Sequence, residues 1–543
     1  MPTDPTSSTE QPQAQAPAAG SLRSAAAPST WPSDTEILAA LGPWMLERRW
    51  FPLKGDAAPP LGSLRIIASW EPETGVRDLV VAALRGNQAE TGHSDGMVLL
   101  HVPVVLEAAE ALDSFATPGE APGNHGLTLE TASAGAPSRV ALVDGAHHPA
   151  FWRAWALSAL QAGTVLGETG ALAIAQRAPR LRVTTGEQSN TSVILPAPAG
   201  GEGDNAPLGE QDTATGDLIV KLLRVLEHGR NPDVELSVAL ARSGWDRVRT
   251  PVAWSTLTWN RVGGCGQPAL EESTDSAVAC SFVPRADDGF ELFCSLAADD
   301  DGPRGPIRTR TLALAADLGV TTAQMHHHLA RALGVSEPPA AAELAQALRD
   351  RAAWALREVP TVADRLPGLD GAIERVLSRL AALERLAPAT RIHGDYHLGQ
   401  TLHEIVEPEA GEGRWFILDF EGEPLRPLAE RRKPDQPLRD VAGMLRSFDY
   451  AAAVGGADDP GWLDAVRDAY RTAYTAYENC ERTGGEASPG REEADARARG
   501  VLLTALELDK ALYEAVYEAR NRPDWIEIPL RGLRRILTAE APA

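Results

Sequence analysis

The chain has 543 residues, 43% of them apolar, with 51 basic against 75 acidic side chains and a formal charge of −24. That length exceeds one compact core, so two or three domains are expected. The acidic balance excludes nucleic acid, whose phosphates demand a basic footprint, and disfavours an anionic membrane surface.

Residues 1–30 are mostly Pro, Ala, Ser, Thr and Gln, with Arg23 as their one basic residue. Such a stretch reads as a disordered tail and not as a signal peptide. No run of about 18 apolar residues exists, so no membrane span is expected and a cytoplasmic protein is inferred. Cys265, Cys280, Cys294 and Cys480 lie far apart without a Cys-x-x-Cys, which predicts neither a zinc site nor a disulfide framework.

Order is expected from Trp31. Ser33 caps a helix through Ile37, Leu38 and Leu41, followed by Trp44, Arg48-Arg49-Trp50-Phe51 and Lys54-Gly55. Both tryptophans read as core. Alternation predicts strands over 64–69, 77–84 and 97–104. The Gly/Pro/Ser-rich stretch 116–137 reads as a linker or long loop. A helix over 149–161 presents Phe151, Trp152, Trp155, Leu157 and Leu160 as a broad apolar face.

Glu187-Gln188-Ser189-Asn190-Thr191-Ser192 then reads as a polar hairpin whose small side chains and amides suit phosphate. An insertion over 196–216 follows. Lys221 stands alone in the apolar strand Asp217–Leu222, where a lysine is costly to bury unpaired. Asn231-Pro232-Asp233-Val234-Glu235 opens the next helix, and Glu235 is the expected partner of Lys221. Strands over 250–255 and 278–283 complete a sheet, and from about 286 the chain turns helical. His326-His327-His328 cannot converge on one ion, because consecutive helical residues point in different directions. Ile373, Val376, Leu377, Leu380 and Leu383 repeat at helical spacing and face a core.

The most informative stretch is 391–449. Ile392-His393-Gly394-Asp395 is followed five residues later by Gln400, and the apolar run Trp415–Leu418 ends in Asp419-Phe420-Glu421-Gly422-Glu423-Pro424. An acid, an amide and a second acid in that order fit phosphoryl transfer to a hydroxyl. Protein kinases use the same order: an acid that takes the hydroxyl proton, then an amide and an acid that hold Mg²⁺. On this reading Asp395 is the catalytic base, and Gln400, Asp419 and Glu421 are the metal ligands. Lys221, held by Glu235, contacts ATP. Ser189, Asn190 and Thr191 cover its phosphates, and the backbone of Ser281, Phe282 and Val283 reads the adenine.

The Gly- and Glu-rich segment 404–413 is an expanded turn. The basic segment 424–437 either flanks the phosphates or sugar, or is a solvated loop. Residues 478–499 read as a surface loop. In the last long helix Lys510, Tyr513 and Tyr517 fall on one face, with Glu518, Arg520 and Asn521 beyond. With His397 they make a platform suited to a neutral sugar.

His-Gly-Asp-Tyr-His-Leu-Gly-Gln, Asp-Phe-Glu-Gly-Glu-Pro, Pro-Leu-Arg-Asp-Val-Ala-Gly-Met and Tyr-Glu-Ala-Arg-Asn-Arg-Pro resemble bacterial maltokinase. That resemblance covers about 31–537. It implies an α+β, bilobal, aminoglycoside-phosphotransferase-like fold with a β-rich cap over 31–125, a nucleotide-binding part over 126–285 and a helical C-lobe over 286–543. It further implies ATP and Mg²⁺ as cofactors, maltose as acceptor, maltose 1-phosphate as product and trehalose synthase as a neighbour; monomer and homodimer both stay open. An amino-sugar acceptor such as glucosamine is the alternative on the same fold. A catalytically silent kinase-like module is the alternative in another class.

Overall fold

The computed structural model describes residues 27–53, 59, 61–84, 97–131, 138–184, 189–198, 216–261, 270–405, 413–423, 426–459, 461–482 and 489–539. Most of the N-terminal tail and of the insertions at 196–216 and 404–413 lies outside this set, as do Lys54, Gly55, Glu187, Gln188, Cys265 and Pro424. The chain divides into two compact units, Met1–Ser158 with Ala175–Ser189, and Ala159–Ile174 with Asn190–Ala543.

The first unit opens with the helix Asp34–Leu46. Ser33 and Glu36 form the expected reciprocal cap at its start. Trp44 and Trp50 are buried and meet edge-on with ring centroids 6.1 Å apart, as core residues do. Arg65–Glu73 and Val76–Leu84 form an antiparallel pair, as the alternation predicts. The run taken as one strand over 97–104 is two, Met97–His101 and Val104–Ala108, and both pair with Val76–Leu84.

The stretch read as a linker holds the strand Gly126–Thr131. It pairs with Ser138–Asp144, which pairs in turn with Val104–Ala108. A domain boundary at 125/126 therefore cuts through one sheet and is corrected to lie beyond residue 144. Gly and Pro marked the turns correctly, but the short Leu127–Leu129 core between them was too brief to register as a strand. The helix Pro149–Ala162 follows, with Phe151, Trp152 and Trp155 buried.

In the second unit the strands Asn190–Leu195, Leu218–Leu223, Leu270–Ser281 and Pro251–Arg261 lie side by side in that order, all antiparallel. Helix Pro232–Arg242 packs on this sheet, with Val234 and Val238 against Trp254 and Val278. A small sheet of Ala286–Asp288, Thr401–Glu404 and Trp415–Ile417 carries the chain around the candidate site.

Long helices supply the rest: Gly289–Ala298, Pro306–Leu333, Ala341–Glu358, Leu369–Ala381, Leu438–Gly455, Gly461–Arg482, Pro489–Asn521 and Glu527–Ala539. They enclose a large apolar core that includes Ile373, Val376, Leu377 and Leu380 on the predicted face. Burying side chains of this size contributes ~1.5–3 kcal/mol each, which is what binds the helices together. Residues 478–499, read as a loop, are mostly helical, with only 483–488 outside the described set. Their Ala, Glu and Arg content favours helix, and that propensity outweighs the surface polarity that suggested a loop.

The three consecutive histidines diverge as expected. His326 is buried against Tyr474 and Asp440, His327 faces Glu481, and His328 meets Ser243. No helix among the described residues is long and apolar enough to cross a membrane.

Candidate active site

Asp440, near the start of helix Leu438–Gly455 and 1% exposed, organises the loop around Asp395. Its carboxylate accepts the backbone N–H of His393 at 2.8 Å and of Gly394 at 2.9 Å, and lies 3.0 Å from His326 Nε2. Burial opposes its charge, but the hydrogen bond and charge of His326 and the Gly394 amide outweigh burial and hold the carboxyl below the usual aspartate range. Gly394 sits at φ +85°, a left-handed conformation that glycine adopts at little cost. The helix backs closely on the loop: a Cβ at Gly443 would fall 2.5 Å from the Tyr396 carbonyl oxygen.

Beyond the loop, His393 Nε2 lies 2.8 Å from the Leu418 carbonyl, and its ring packs on Phe420 at 4.9 Å. The Leu418 N–H donates to the Gln400 carbonyl at 2.9 Å, and Gln400 Nε2 reaches Asp419 Oδ2 at 3.4 Å. Asp419 itself is in a left-handed conformation at φ 57°. A non-glycine residue there is uncommon, and such outliers cluster at functional sites. These ties join Asp395, Gln400 and Asp419 through adjoining segments.

Lys221 reaches into the same region. Its Nζ is 2.8 Å from Asp419, 3.0 Å from Asp233 and 2.6 Å from Glu421. Burial opposes the ammonium, but Asp233, Glu421 and Asp419 together raise its pKa well above the lysine norm. Burial likewise opposes the Asp419 charge and Lys221 outweighs it, so Asp419 titrates low. Glu421 goes the other way. Burial and the neighbouring carboxylates raise its pKa despite Lys221. Asn190 Nδ2 donates to Glu421 at 3.1 Å.

The expected Lys221–Glu235 pair is not formed. Asp233 takes that place, with one carboxylate oxygen on Lys221 and the other accepting the Phe420 N–H at 2.9 Å. Two residues along a helix are turned by ~200°, so when Asp233 faces Lys221, Glu235 points away. Glu235 pairs with Arg391 instead, 2.5 Å from its Nη1.

The remaining expected nucleotide residues are placed unequally. Thr191 is buried and its hydroxyl accepts from Arg224 Nε at 2.8 Å, while Ser189 is exposed. At the end of strand Leu270–Ser281, the Ser281 N–H donates to the Thr250 carbonyl and the Phe282 N–H to the Asp217 carbonyl, each at 2.9 Å. Those two amides are thus committed within the protein, and Val283 is buried.

On the other side of Asp395, Lys510 Nζ lies 3.2 Å from Asp395 Oδ1 and 3.0 Å from Glu423 Oε1. Burial opposes the Glu423 charge, but Lys510 and Arg426 prevail and hold its carboxyl down at about 2. Tyr513 lies beside Lys510, with Nζ 5.3 Å from its ring centre. The His397 imidazole is pushed below its ordinary pKa by burial, against the pull of Asp395.

Further along this helix the expected sugar contacts separate from Asp395. Glu518 is buried against Tyr450 Oη and Arg522, and Arg520 pairs with Glu358. Asn521 donates to the Tyr517 carbonyl, and Tyr517 is 42% exposed beside Arg522. No contact joins these four to Asp395 among the described residues. The shared face of Lys510, Tyr513 and Tyr517 is real, but a face of two turns is longer than the neighbourhood of one carboxylate.

In the basic segment, Arg426 pairs with Glu423, and Arg431 donates to the Glu421 carbonyl at 2.8 Å and binds Glu227. It braces the acidic segment.

Asp233, Glu423, Asp440, His326 and Arg391 were not given these roles by sequence reasoning. Asp233, Glu423 and Asp440 lie inside the motifs that drew attention. Only a fixed helix phase or a long-range contact reveals what each one holds.

Asp233, Asp419 and Glu421 offer carboxylate oxygens within 4.8 Å of one another, the one such metal-competent group among the described residues. An all-oxygen set with one amide nearby suits a hard divalent cation. The helices and antiparallel sheets around this group define the class by architecture, an α+β chain with a kinase-like fold. No protein-family model matches the sequence.

Its similarities among known proteins are specific nonetheless. It is 30% identical over 332 residues to a glucosamine kinase of Streptacidiphilus jiangxiensis, across 56% of this chain and 66% of that protein, just under two thirds. It is 28% identical over 360 residues to a glucosamine kinase of Mycolicibacterium smegmatis (strain ATCC 700084 / mc(2)155), across 66% of this chain and 79% of that one. A solved glucosamine kinase in complex with glucosamine, ADP and inorganic phosphate matches over 93% of this chain and 100% of its own, with a TM-score of 0.57 at 22% identity. A second crystal form of glucosamine kinase matches with the same values. The chain thus has the fold of a sugar kinase and is a sequence relative of sugar kinases. The relatives are named for glucosamine, where the short motifs resemble maltokinase.

Proposed function

We propose that this protein is an ATP-dependent kinase that phosphorylates a sugar hydroxyl. The observation that carries the reading is the gathering of Lys221, Asp419 and Gln400 on one side of a short loop that presents Asp395. Asp395 takes the proton of the acceptor hydroxyl as that oxygen bonds to the γ-phosphorus of ATP, and the bridging oxygen leaves with ADP. Lys221 meets the nucleotide phosphates as a buried point charge. Asp419, Glu421 and Gln400 would hold Mg²⁺, which supplies charge neutralisation at the phosphates when bound. Asp233 holds Lys221 and the Phe420 amide in register.

Two acceptors are in play. The relatives' names support glucosamine. One feature of the site supports maltose instead: the Lys510 ammonium already lies between Asp395 and Glu423. An amino sugar needs a carboxylate to spare. Here Glu423 is also met by Arg426, and the nearby Asp509 and Asp435 are met by Arg351 and Arg439. A charge-balanced acceptor side suits neutral hydroxyls, with Tyr513 offering a ring for a sugar face. In the maltose reading the product is maltose 1-phosphate, a feed for α-glucan synthesis, and trehalose synthase would be the metabolic neighbour.

ADP release with ATP, Mg²⁺ and either glucosamine or maltose tests this. Turnover that depends on one of the two sugars is expected, and its identity chooses the acceptor. If neither sugar raises ADP release over ATP alone, the kinase reading fails and the silent-module alternative gains.

A further inference from the structure

The Glu235–Arg391 pair has a place in the fold that no role above uses. Arg391 directly precedes the loop that carries His393, Gly394 and Asp395. Glu235 stands on helix Pro232–Arg242, the same helix whose Asp233 holds Lys221 and the Phe420 amide. The two residues are 156 positions apart in sequence and 2.5 Å apart in space. Arg391 is only 8% exposed, and its Nε and Nη2 are buried without a hydrogen-bond partner. Among the described residues Glu235 is the one carboxylate paired with that guanidinium.

We infer that Glu235 and Arg391 are positioning residues: a latch that sets the helix carrying Asp233 against the loop carrying Asp395. The inference rests on the kinase reading for its catalytic consequence, and on geometry alone for its structural one. A buried guanidinium with a single carboxylate partner is left uncompensated when that partner goes, so the segment bearing it must rearrange towards water or towards another acid. A shift of the backbone at Arg391 carries Ile392 and His393 with it, and a turn of the helix at Glu235 carries Asp233 away from Lys221. Either change uncouples the nucleotide side of the site from the acceptor side without touching a substrate. Glu235 also lines a cavity of about 440 Å³ with Arg230, Arg242 and Arg331, so a freed Glu235 has other arginines within its own cavity to turn to.

The test uses the full chain with Glu235→Gln, Glu235→Asp, Arg391→Lys, Arg391→Gln and the double variant Glu235→Gln/Arg391→Gln. Glu235→Gln is expected to lower kcat by tenfold to a hundredfold, on the order of what a small misplacement of reacting groups costs, with KM for the sugar within about twofold. Glu235→Asp and Arg391→Lys, which keep the charges, should recover part of kcat. The double variant should be no worse than the worse single one. Hydrogen exchange provides the arm that needs no turnover: amides of 392–396 should exchange faster in Glu235→Gln, while those of strand Ser138–Asp144 should not change.

If wild type turns over no sugar, the kinase reading fails and the exchange result alone decides the latch. If Glu235→Gln does not fold, Glu235→Asp and Arg391→Lys decide it. A folded Glu235→Gln with wild-type kcat and unchanged exchange at 392–396 overturns the inference, as does additive loss in the double variant.

Discussion

Replacing Lys221 by Met removes the ammonium that lies among three carboxylates, Asp233 buried and Asp419 and Glu421 partly exposed. Lys221 is 16% exposed on its side chain and pairs at 2.6–3.0 Å with Glu421, Asp419 and Asp233. Breaking a buried ion pair by deleting one partner costs ~3–5 kcal/mol, because the remaining charges stay desolvated. The second unit should lose part of that stability in metal-free buffer, chiefly through Asp233, since water screens the Asp419 side chain, which is 38% exposed. The same deletion leaves Asp233, Asp419 and Glu421 with oxygens within 4.8 Å of one another and without the ammonium that touched all three.

A divalent cation can then take the place of Lys221. At a hundred times its Kd it restores ~2.7 kcal/mol. Thermal unfolding of Lys221→Met and wild type, each in EDTA and in excess Mg²⁺, measures both effects. The variant should melt several degrees lower in EDTA and recover most of the gap in Mg²⁺. Wild type should respond less, since its ammonium already offsets part of the negative charge of the cluster. ADP release should stay low in the variant even with Mg²⁺, because the metal restores charge balance and not the phosphate contact. A variant that melts like wild type in EDTA, or that gains no more from Mg²⁺ than wild type does, refutes the view that these four side chains form one electrostatic unit.

Asp395→Asn should reduce kcat by ~10²–10⁴-fold, the range for loss of a general base, with an unchanged melting profile in EDTA, since Lys510 keeps Glu423. Steady-state kinetics alongside circular dichroism checks it. Asp440→Asn withdraws one acceptor from the His393 and Gly394 amides and should lower kcat/KM by ~10–100-fold with loss in both terms, read from the same assay.

The Glu423 carboxyl sits at about 2 against 4.5 when unperturbed, so its stabilisation is complete above 4.5 and is lost as pH falls towards 2. That gap is worth ~3 kcal/mol at ~1.4 kcal/mol per pH unit. Glu423→Gln should therefore be less stable than wild type at neutral pH by up to that amount, and the difference should shrink on acidification below 4.5, measured by denaturant unfolding across that range.

The local signals in this chain pointed to much of its candidate site. Asp395, Gln400 and Asp419 stand in an order that few folds other than a kinase-like one require. Lys221 in an apolar strand called for acidic partners before any were located. Ser33 and Glu36 named their own helix start. These are features of short range, and backbone propensity and side-chain type suffice to express them.

What the sequence could not express was helix phase and long-range pairing. Glu235 and Asp233 are equally plausible partners for Lys221 until the rotation of the Pro232–Arg242 helix is known, and that rotation is set by Val234 and Val238 packing on Trp254 and Val278. The strand at 126–131 is invisible until its neighbour Ser138–Asp144 offers hydrogen bonds. Lys510 shares a helix face with Tyr517, yet only Lys510 reaches Asp395, because the helix passes the site and runs on. Tertiary structure decided these points because each depends on what lies opposite a residue, and that is fixed by packing between segments that are separate in the sequence.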